Sequence, residues 1–453
     1  MPETSTSNRD RLTEGSLIYL ASDLYDDGRP ADRIQLRAHS VQAGVGPPCR
    51  ASQRHGKMAV VPESAAGPAV ALLARLRGRT PMMVDQLAAL VSAETPSSDV
   101  AACAAGIDVV RQIAAAVIGD VGELVVAEDR THVRWRWPAP PGRRPIALIG
   151  HADTVWPTST LTRWPFSVDA VAGIATGPGC FDMKAGIVQL LHAVSALDDR
   201  SGLEILITSD EEVGSPTSRL LIEDIGRAAA AALILEPSRD GALKIGRKGT
   251  GSYRLDVAGR AAHAGLEPEK GANALVALAE VIGRVGAIAR PAAGTTVTPT
   301  LAAAGTAANV VPASAYVEID VRVAEPPEAD RVDRELRALA TTLPGTELTV
   351  SGRPNRPPMP LAASAALFEL ARGAADRLNL PAPDGVFVGG GSDGNFTAAV
   401  GCPTLDGLGA VGGGAHAEGE HVRIDSMPQR SALLAAIIER VRSGPMAVLT
   451  DLG

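Results

Sequence analysis

Five stretches of the chain each set a nitrogen or oxygen donor where an apolar run gives out, and together they hold a ligand set for two zinc-like cations. Residues 145–150 lead into His151-Ala-Asp153-Thr-Val155, and a glycine-rich loop carries Asp182. Residues 203–208 lead into Ser209-Asp210-Glu211-Glu212, residues 231–235 lead into Glu236-Pro237, and a late glycine-rich turn carries His416. Two imidazoles and three carboxylates suit Zn2+, and one further glutamate is left for proton transfer. Ligands of open α/β sheets gather beyond the carboxyl ends of the strands, so this placement reads as an active site.

Each residue also has a plainer reading. A lone His151 would be structural, but Asp153 two residues on suggests the pairing in which a carboxylate fixes the tautomer of a metal-binding imidazole. Asp182, in Gly177-Pro-Gly179-Cys-Phe-Asp182-Met-Lys184, could be an ordinary helix cap; capping leaves the glycines unexplained, and two carboxylate oxygens can bridge two cations. Glu211 and Glu212 would repel unless a cation or proton intervened, so one can bind metal while its neighbour takes the proton of a bound water. Glu236, alone, is a weak signal. His416 follows glycines that permit a close approach, with Glu420 available to orient or cap, whereas His421 reads as a structural strand residue. His263, in Gly259-Arg-Ala-Ala-His263-Ala-Gly265, would by itself be a surface residue on a turn.

A different chemistry competes. Gly390-Gly-Ser392-Asp-Gly394 satisfies the G-x-S-x-G pattern of a serine nucleophile, and Asp406 and His416 follow in the order such a triad needs. That reading leaves His151, Asp182, Glu211 and Glu212 without a task. A non-catalytic metal scaffold is the third reading, and the additional glutamate argues against it.

These residues need a scaffold. The spacing of Leu87, Leu90 and Val91 predicts a helix from Val84, followed by a helix over 107–117 and strands near 123–126 and 132–137. Residues 145–150 are apolar without alternation, as in a strand covered on both faces. A buried helix over 185–197 and strands over 203–208 and 231–235 continue the alternation. The pattern is that of an α/β domain with a mainly parallel sheet and helices on both faces.

From Gly249 the order changes to a strand over 252–257, a helix over 272–288, strands over 295–303 and 315–323, a helix over 329–342 and a strand over 347–350. This β-α-β-β-α-β order predicts an inserted ferredoxin-like α+β unit. Residues 353–360 read as a linker, after which helices over 363–378 and 428–440, a strand over 385–388 and a short helix through 396–400 resume the first pattern. The expected domains are 82–248 and 356–445 as two parts of one catalytic domain, with 249–355 inserted between them.

Composition sets bounds. A chain of 453 residues suits two or three domains, and a formal net charge of −8 disfavours nucleic acid or anionic membrane as partner. Cys49, Cys103, Cys180 and Cys402 form no CxxC pair, which fits free thiols in a reducing, cytoplasmic setting. No stretch reads as long enough to span a bilayer. Residues 1–80 lack a sustained period and read as a disordered or non-conserved extension, with Met82 or Met83 opening the first convincing helix.

Taken together, the motifs resemble the dizinc hydrolase family of acetylornithine deacetylase, succinyl-diaminopimelate desuccinylase, the aminoacylases and carboxypeptidase G. The resemblance runs from about Met82 to Arg442 through His151-x-Asp-Thr-Val, Gly177-x-Gly-x-x-Asp-Met-Lys, Asp210-Glu-Glu-x-Gly-Ser, Ala262-His-Ala-Gly, Asn309-Val-Val-Pro, Gly389-Gly-Gly-Ser-Asp-Gly and His416-x3-Glu420. It implies two zinc ions, with cobalt or manganese as substitutes, bridged by Asp182 and a water. His151 and Glu236 would lie on one ion, and Glu212 and His416 on the other, with Glu211 as general base and later acid. It further implies a homodimer formed through the inserted lid domain, which lends His263 to the partner's site to stabilise the oxyanion. Asn309, Arg322, Gly391 and Ser392 would face a substrate that is an N-acyl amino acid or short peptide; from its strand context Arg322 is equally a structural partner for Asp320 or Glu318. Glu236-Pro-Ser, Asn309-Val-Val-Pro-Ala-Ser-Ala and Asp320-Val-Arg322 look most like carboxypeptidase G and its glutamate-releasing relatives. Arg247-Lys248-Gly249 and Ala185 depart from the family pattern without removing a ligand.

Overall fold

The computed structural model describes residues 68–444. Its largest sheet runs in the order Glu123–Ala127, Arg130–Arg136, Leu203–Thr208, Ile146–His151, Ala231–Ile234, Thr404–Leu405. The last four are parallel, and the first two form an antiparallel hairpin at one edge. Ile146–His151 and Leu203–Thr208 are buried at every position, which is why they read as unbroken apolar runs. Leu148 and Ile205 face a core shared with the helices Val100–Ile118, Ala185–Ser195 and Ser426–Ser443. Ala147, Ile149 and Leu206 face the other way, toward Ile222 and Ile225 of the helix Arg219–Ala228 and toward Phe396. With both faces covered by helices, the strand ends are where loops can bring side chains together.

The inserted unit has its own sheet, in the order Thr296–Ala304, Ser314–Val323, Gly249–Ala258, Glu347–Arg356, with every pair antiparallel. The helices Ala274–Gly286 and Pro326–Arg337 cover one face, and Leu255, Val281, Val317, Ile319 and Leu336 form a separate core. This is the ferredoxin-like arrangement expected from the element order. Its final strand continues to Arg356, so residues 353–356, expected as linker, belong to the sheet and pair with residues 250–252.

Two expectations about the early chain need correction. The helix Pro68–Arg77 precedes Met82 and buries Leu73 and Leu76 in the main core, so the packed domain begins before residue 80. Each buried leucine is worth about 1.5–3 kcal/mol of burial. The short, arginine-rich run hid this because only Leu73 and Leu76 are buried among its described side chains, with Ala69 and Leu72 packed partly against the core. The remainder of that segment, Cys49 included, lies outside the described residues. The helix Val100–Ile118 is long and apolar enough, at a mean hydropathy of 1.6, to pass for a membrane span, contrary to the sequence expectation. It buries Ile107, Val110, Ile113 and Ala114 in the domain core. Cys103, Cys180 and Cys402 are free and buried.

Candidate metal centre

The parallel strands deliver the donors to one place. His151 ends the strand Ile146–His151, Glu211 and Glu212 open the turn after Leu203–Thr208, and Glu236 follows Ala231–Ile234 by two residues. Asp182 comes from the irregular turn before the helix Ala185–Ser195, where the Asp182–Met183 peptide is cis. Gly179 has a φ of +70°, and a Cβ there would sit 2.4 Å from the Thr154 methyl, so glycine is what lets this loop close on the strand end. Glu420 fixes the loop from the far side. Its carboxylate accepts the backbone N–H groups of Gly179, Phe181 and Asp182 at 2.8–2.9 Å and the Trp156 indole N–H at 2.9 Å.

Asp182 stands between two trios. Its Oδ1 lies 3.4 Å from His151 Nε2, which is 3.5 Å from Glu236 Oε1; its Oδ2 lies 3.6 Å from His416 Nε2, which is 3.3 Å from Glu212 Oε2. Ligand bonds of about 2.0–2.1 Å at tetrahedral angles put donor atoms about 3.3 Å apart, so each of these histidine–carboxylate pairs has the spacing of two ligands on one zinc ion. His151 Nε2 and Glu212 Oε1 are buried without a hydrogen-bond partner, a costly arrangement that a cation would relieve. The residues present therefore fit a pair of divalent ions.

Proximity does not separate ligand from base by itself. The donor atoms of His151, Glu211 and Glu236 lie within 4.8 Å of one another, as do those of His151, Asp182 and Glu212. What distinguishes Glu211 is Arg356, whose Nη2 donates to Glu211 Oε1 at 2.8 Å and to its backbone carbonyl at 3.0 Å. Arg356 also reaches Ser215 Oγ at 2.9 Å and Asp393 Oδ1 at 3.3 Å. Burial pushes the Glu211 carboxyl well above the ordinary range, with Arg356 opposing. Burial likewise raises Glu212, though its hydrogen bond to His416 opposes that.

Asp153 acts as a junction. Its carboxylate accepts Ser97 Oγ at 2.7 Å and the N–H groups of Glu211 and Glu212 at 3.2 and 3.1 Å, fixing the acidic turn against the histidine loop. The nearest partner of His151 Nδ1 is the Asp153 carbonyl at 3.0 Å, with the carboxylate at 3.5 Å. The main-chain carbonyl thus faces Nδ1 beside the Asp153 carboxylate expected from sequence. For His151, burial would lower the pKa, but the carboxylates of Asp153, Asp182 and Glu236 around its ring hold it well above the usual value. His416 is raised to about 9, chiefly by its hydrogen bond to Glu212. The same carboxylates would draw a divalent cation to these ring nitrogens.

Several contributors escaped the sequence reading. Arg356 was placed in a linker, and nothing near it in the chain names Glu211 as its partner. Arg247, noted only as a departure, is 2% exposed and forks onto Asp406 at 2.7 and 3.1 Å and Glu236 Oε2 at 3.3 Å. Lys244 Nζ lies 3.6 Å from the same Glu236 oxygen. Paired basic and acidic residues at long range were the only available signal, and charge pairing cannot be read from one sequence.

Ser392 is not where either of its expected roles needs it. Its side chain is fully buried, its hydroxyl donates to Asp406 Oδ2 at 2.6 Å, and Asp406 is itself committed to Arg247. No histidine is among its hydrogen-bond partners within the described residues, so the serine-nucleophile reading fails, and the hydroxyl is not free for substrate. Gly391 has room for no side chain, since a Cβ would meet Arg356 Cδ and Thr250 Cγ2 at 2.9 Å.

The residues expected from the inserted unit lie apart from the cluster. His263 is exposed, and its Nδ1 accepts the N–H groups of Gly265 and Leu266 at 3.2 Å, which leaves Nε2 as the outward donor. Asn309 is exposed and its carbonyl accepts the N–H of Ala264, so both residues ride on one turn. Arg322 is held by both oxygens of Asp320 at 2.8 Å, the structural alternative seen in the sequence. Among the described residues, no hydrogen bond or ion pair of these three reaches the cluster.

A model of peptidase family M20/M25/M40 matches residues 147–440. Carboxypeptidase G2 of a Pseudomonas species (strain RS-16) is 30% identical over 388 residues, covering 80% of this chain and 90% of that protein. A succinyl-diaminopimelate desuccinylase of Methylorubrum populi is 28% identical over 321 residues, covering 65% and 82%. In fold, the chain resembles a Staphylococcus aureus tripeptidase at a TM-score of 0.64 and 20% identity, covering 81% of this chain and 99% of that one. It also resembles an M20 family metallo-carboxypeptidase of Sulfolobus solfataricus at 0.63 and 15%, covering 79% and 99%. With a matched region that contains all five candidate ligands and both lid motifs, the chain belongs to the peptidase family M20/M25/M40.

Proposed function

We propose that this family member is a dizinc carboxypeptidase-like amidohydrolase that releases an amino acid with a free carboxylate from an N-acyl or peptidyl amide, working as a homodimer. The observation that carries the reading is the shared Asp182 carboxylate, set at ligand spacing between His151 with Glu236 on one side and His416 with Glu212 on the other. Zinc bound there would supply Lewis acidity and a water acidic enough to lose a proton near neutral pH.

Glu211 is the proton carrier. Its Oε1 is occupied by Arg356, which leaves Oε2 to take the proton of the attacking water and return it to the leaving amine. Burial, by raising its carboxyl, moves it toward the range where both transfers are possible at one pH. Asp153 keeps Glu211 and Glu212 apart and oriented through their N–H groups. His263, with Nε2 as an outward donor, would stabilise the developing oxyanion in a second copy's site, accompanied by Asn309 on the same turn.

The 30% identity to carboxypeptidase G2 favours an amino-acid-releasing reaction of that kind, with glutamate as the leaving residue. The desuccinylase relatives support a second reading within the same chemistry, N-acyl-amino-acid deacylation. A screen of N-acyl amino acids and dipeptides, read by amine release in the zinc-loaded enzyme, tests both. Release from C-terminal glutamate conjugates above all others supports the first; preference for succinyl or acetyl amines supports the second; no amine release from any member overturns the proposed activity.

A further inference from the structure

Arg247 occupies a position that the ligand reading does not explain. It lies at the end of the strand Leu243–Arg247, is 2% exposed, and directs its guanidinium at three segments of chain. Nε and Nη2 grip Asp406 at 2.7 and 3.1 Å, Nη2 also reaches Glu236 Oε2 at 3.3 Å, and Nη1 donates to the carbonyls of Gly390 and Gly391 at 3.0 and 3.1 Å. Asp406 is fixed from behind by the Ser392 hydroxyl at 2.6 Å, so the G-x-S-x-G motif has a task after all. All four side chains are at most 6% exposed.

We infer that Arg247 is a positioning residue for the metal centre: by holding Glu236 Oε2, it turns Oε1 toward His151 and makes Glu236 a one-oxygen ligand. Geometry carries the argument. Glu236 Oε1 lies 3.5 Å from His151 Nε2, while Oε2 faces Arg247 at 3.3 Å and Lys244 at 3.6 Å. A planar guanidinium presents its donors to Asp406 and Glu236 at fixed angles, which a rotating ammonium does not. The same guanidinium ties the glycine loop at 390–391 to this ligand, and Ser392 acts through Asp406 at one further remove. The inference rests on Glu236 being a ligand, and it adds a group that sets how well that ligand is presented.

The test is zinc binding by the metal-free, full-length protein, measured against a chromophoric chelator and independent of turnover. Arg247→Met should weaken one of two bound zinc ions by about 10–100-fold, the usual effect of losing a partner that orients a ligand. Ser392→Ala should weaken the same ion by less. Glu236→Gln combined with Arg247→Met should bind that ion no worse than Glu236→Gln alone, because Arg247 acts through Glu236. Arg247→Lys keeps the charge without the fork and should fall between wild type and Met, which carries the test if the Met variant does not fold. Arg430→Lys is the control for buried arginines generally: Arg430 is 6% exposed and holds the carbonyls of Gly407 and Gly409, so its replacement should lower Tm and leave zinc affinity alone. Wild-type affinity in both Arg247 variants, or additive losses in the double variant, overturns the inference while leaving the metal reading intact. A wild-type protein that binds no zinc overturns both.

Discussion

At the carboxyl ends of the parallel strands, His151, Glu211 and Glu236 are buried and each faces a fixed neighbour, Asp153, Arg356 and Arg247 in turn, whereas in the inserted unit His263 and Asn309 are exposed and Arg322 is turned onto Asp320. The difference follows from what each region must do with charge. Crowding carboxylates inside a fold is tolerable only with cationic partners in place, so Arg356 and Arg247 are built in alongside the ligands, while Asp153 and Glu420 fix the loops that carry them. The exposed His263 and Asn309 of the inserted unit carry no such cost. Arg356 is the exception that joins the regions, since it ends the lid strand Glu347–Arg356 and grips Glu211.

The largest expected effect falls on the buried side. Chelation should abolish hydrolysis, zinc or cobalt should restore it, and Asp182→Asn should lose both metal and activity because both trios share that carboxylate. Full turnover in excess chelator would remove the basis of the comparison.

Next comes the division of labour between adjacent glutamates. Glu211→Gln is expected to keep its zinc and lose about 10²–10⁴-fold in kcat, while Glu212→Gln loses zinc. Equal metal loss in both variants, measured by elemental analysis, would mean the Arg356 contact does not mark the base.

On the exposed side, His263→Ala should reduce kcat by about 10²-fold with little change in zinc content. Mixing inactive His263→Ala and Glu211→Gln subunits should then recover part of the activity, since one site of a mixed dimer is complete. Absence of recovery, with dimers verified by sedimentation, would place His263 outside the partner's site.

A stability test addresses the scaffold beneath the cluster. Starting the chain at Met82 removes Leu73 and Leu76 from the core and should lower Tm; Leu76→Ala alone should cost about 2–5 kcal/mol. An unchanged denaturation midpoint would show that the helix Pro68–Arg77 is dispensable. The smallest effect is expected from Arg322→Ala: with both arms on Asp320, its loss should change KM slightly and equally for acid and amide substrates. A rise confined to substrates with a free carboxylate would show that the guanidinium leaves Asp320 to bind them.

Much of this was legible in the chain itself. The strands at 146–151 and 203–208 announce themselves because burial on both faces demands continuous apolar residues, and a donor placed where such a run stops is a donor at a sheet edge. The inserted unit was legible from its order of alternating strands and amphipathic helices. Short elements were not: Ser167–Asp169, Ile174–Thr176, Gly412–Gly413 and His421–Arg423 pair into a small sheet, yet none is long enough to show a period. The strand Leu243–Arg247, which brings Arg247 in, is absent from the sequence expectation although it is as long as Glu123–Ala127.

The sequence determined the donor types, their positions at strand ends and the family they belong to, because periodicity and motif spacing are local properties of a chain. Only the tertiary structure decided that the backbone carbonyl of Asp153 is the nearest partner of His151 and that Ser392 is buried against Asp406. It also decided that Arg356 meets Glu211 across 145 residues of sequence. Such pairings depend on which distant side chains share a low-dielectric space, and no local pattern encodes that distance.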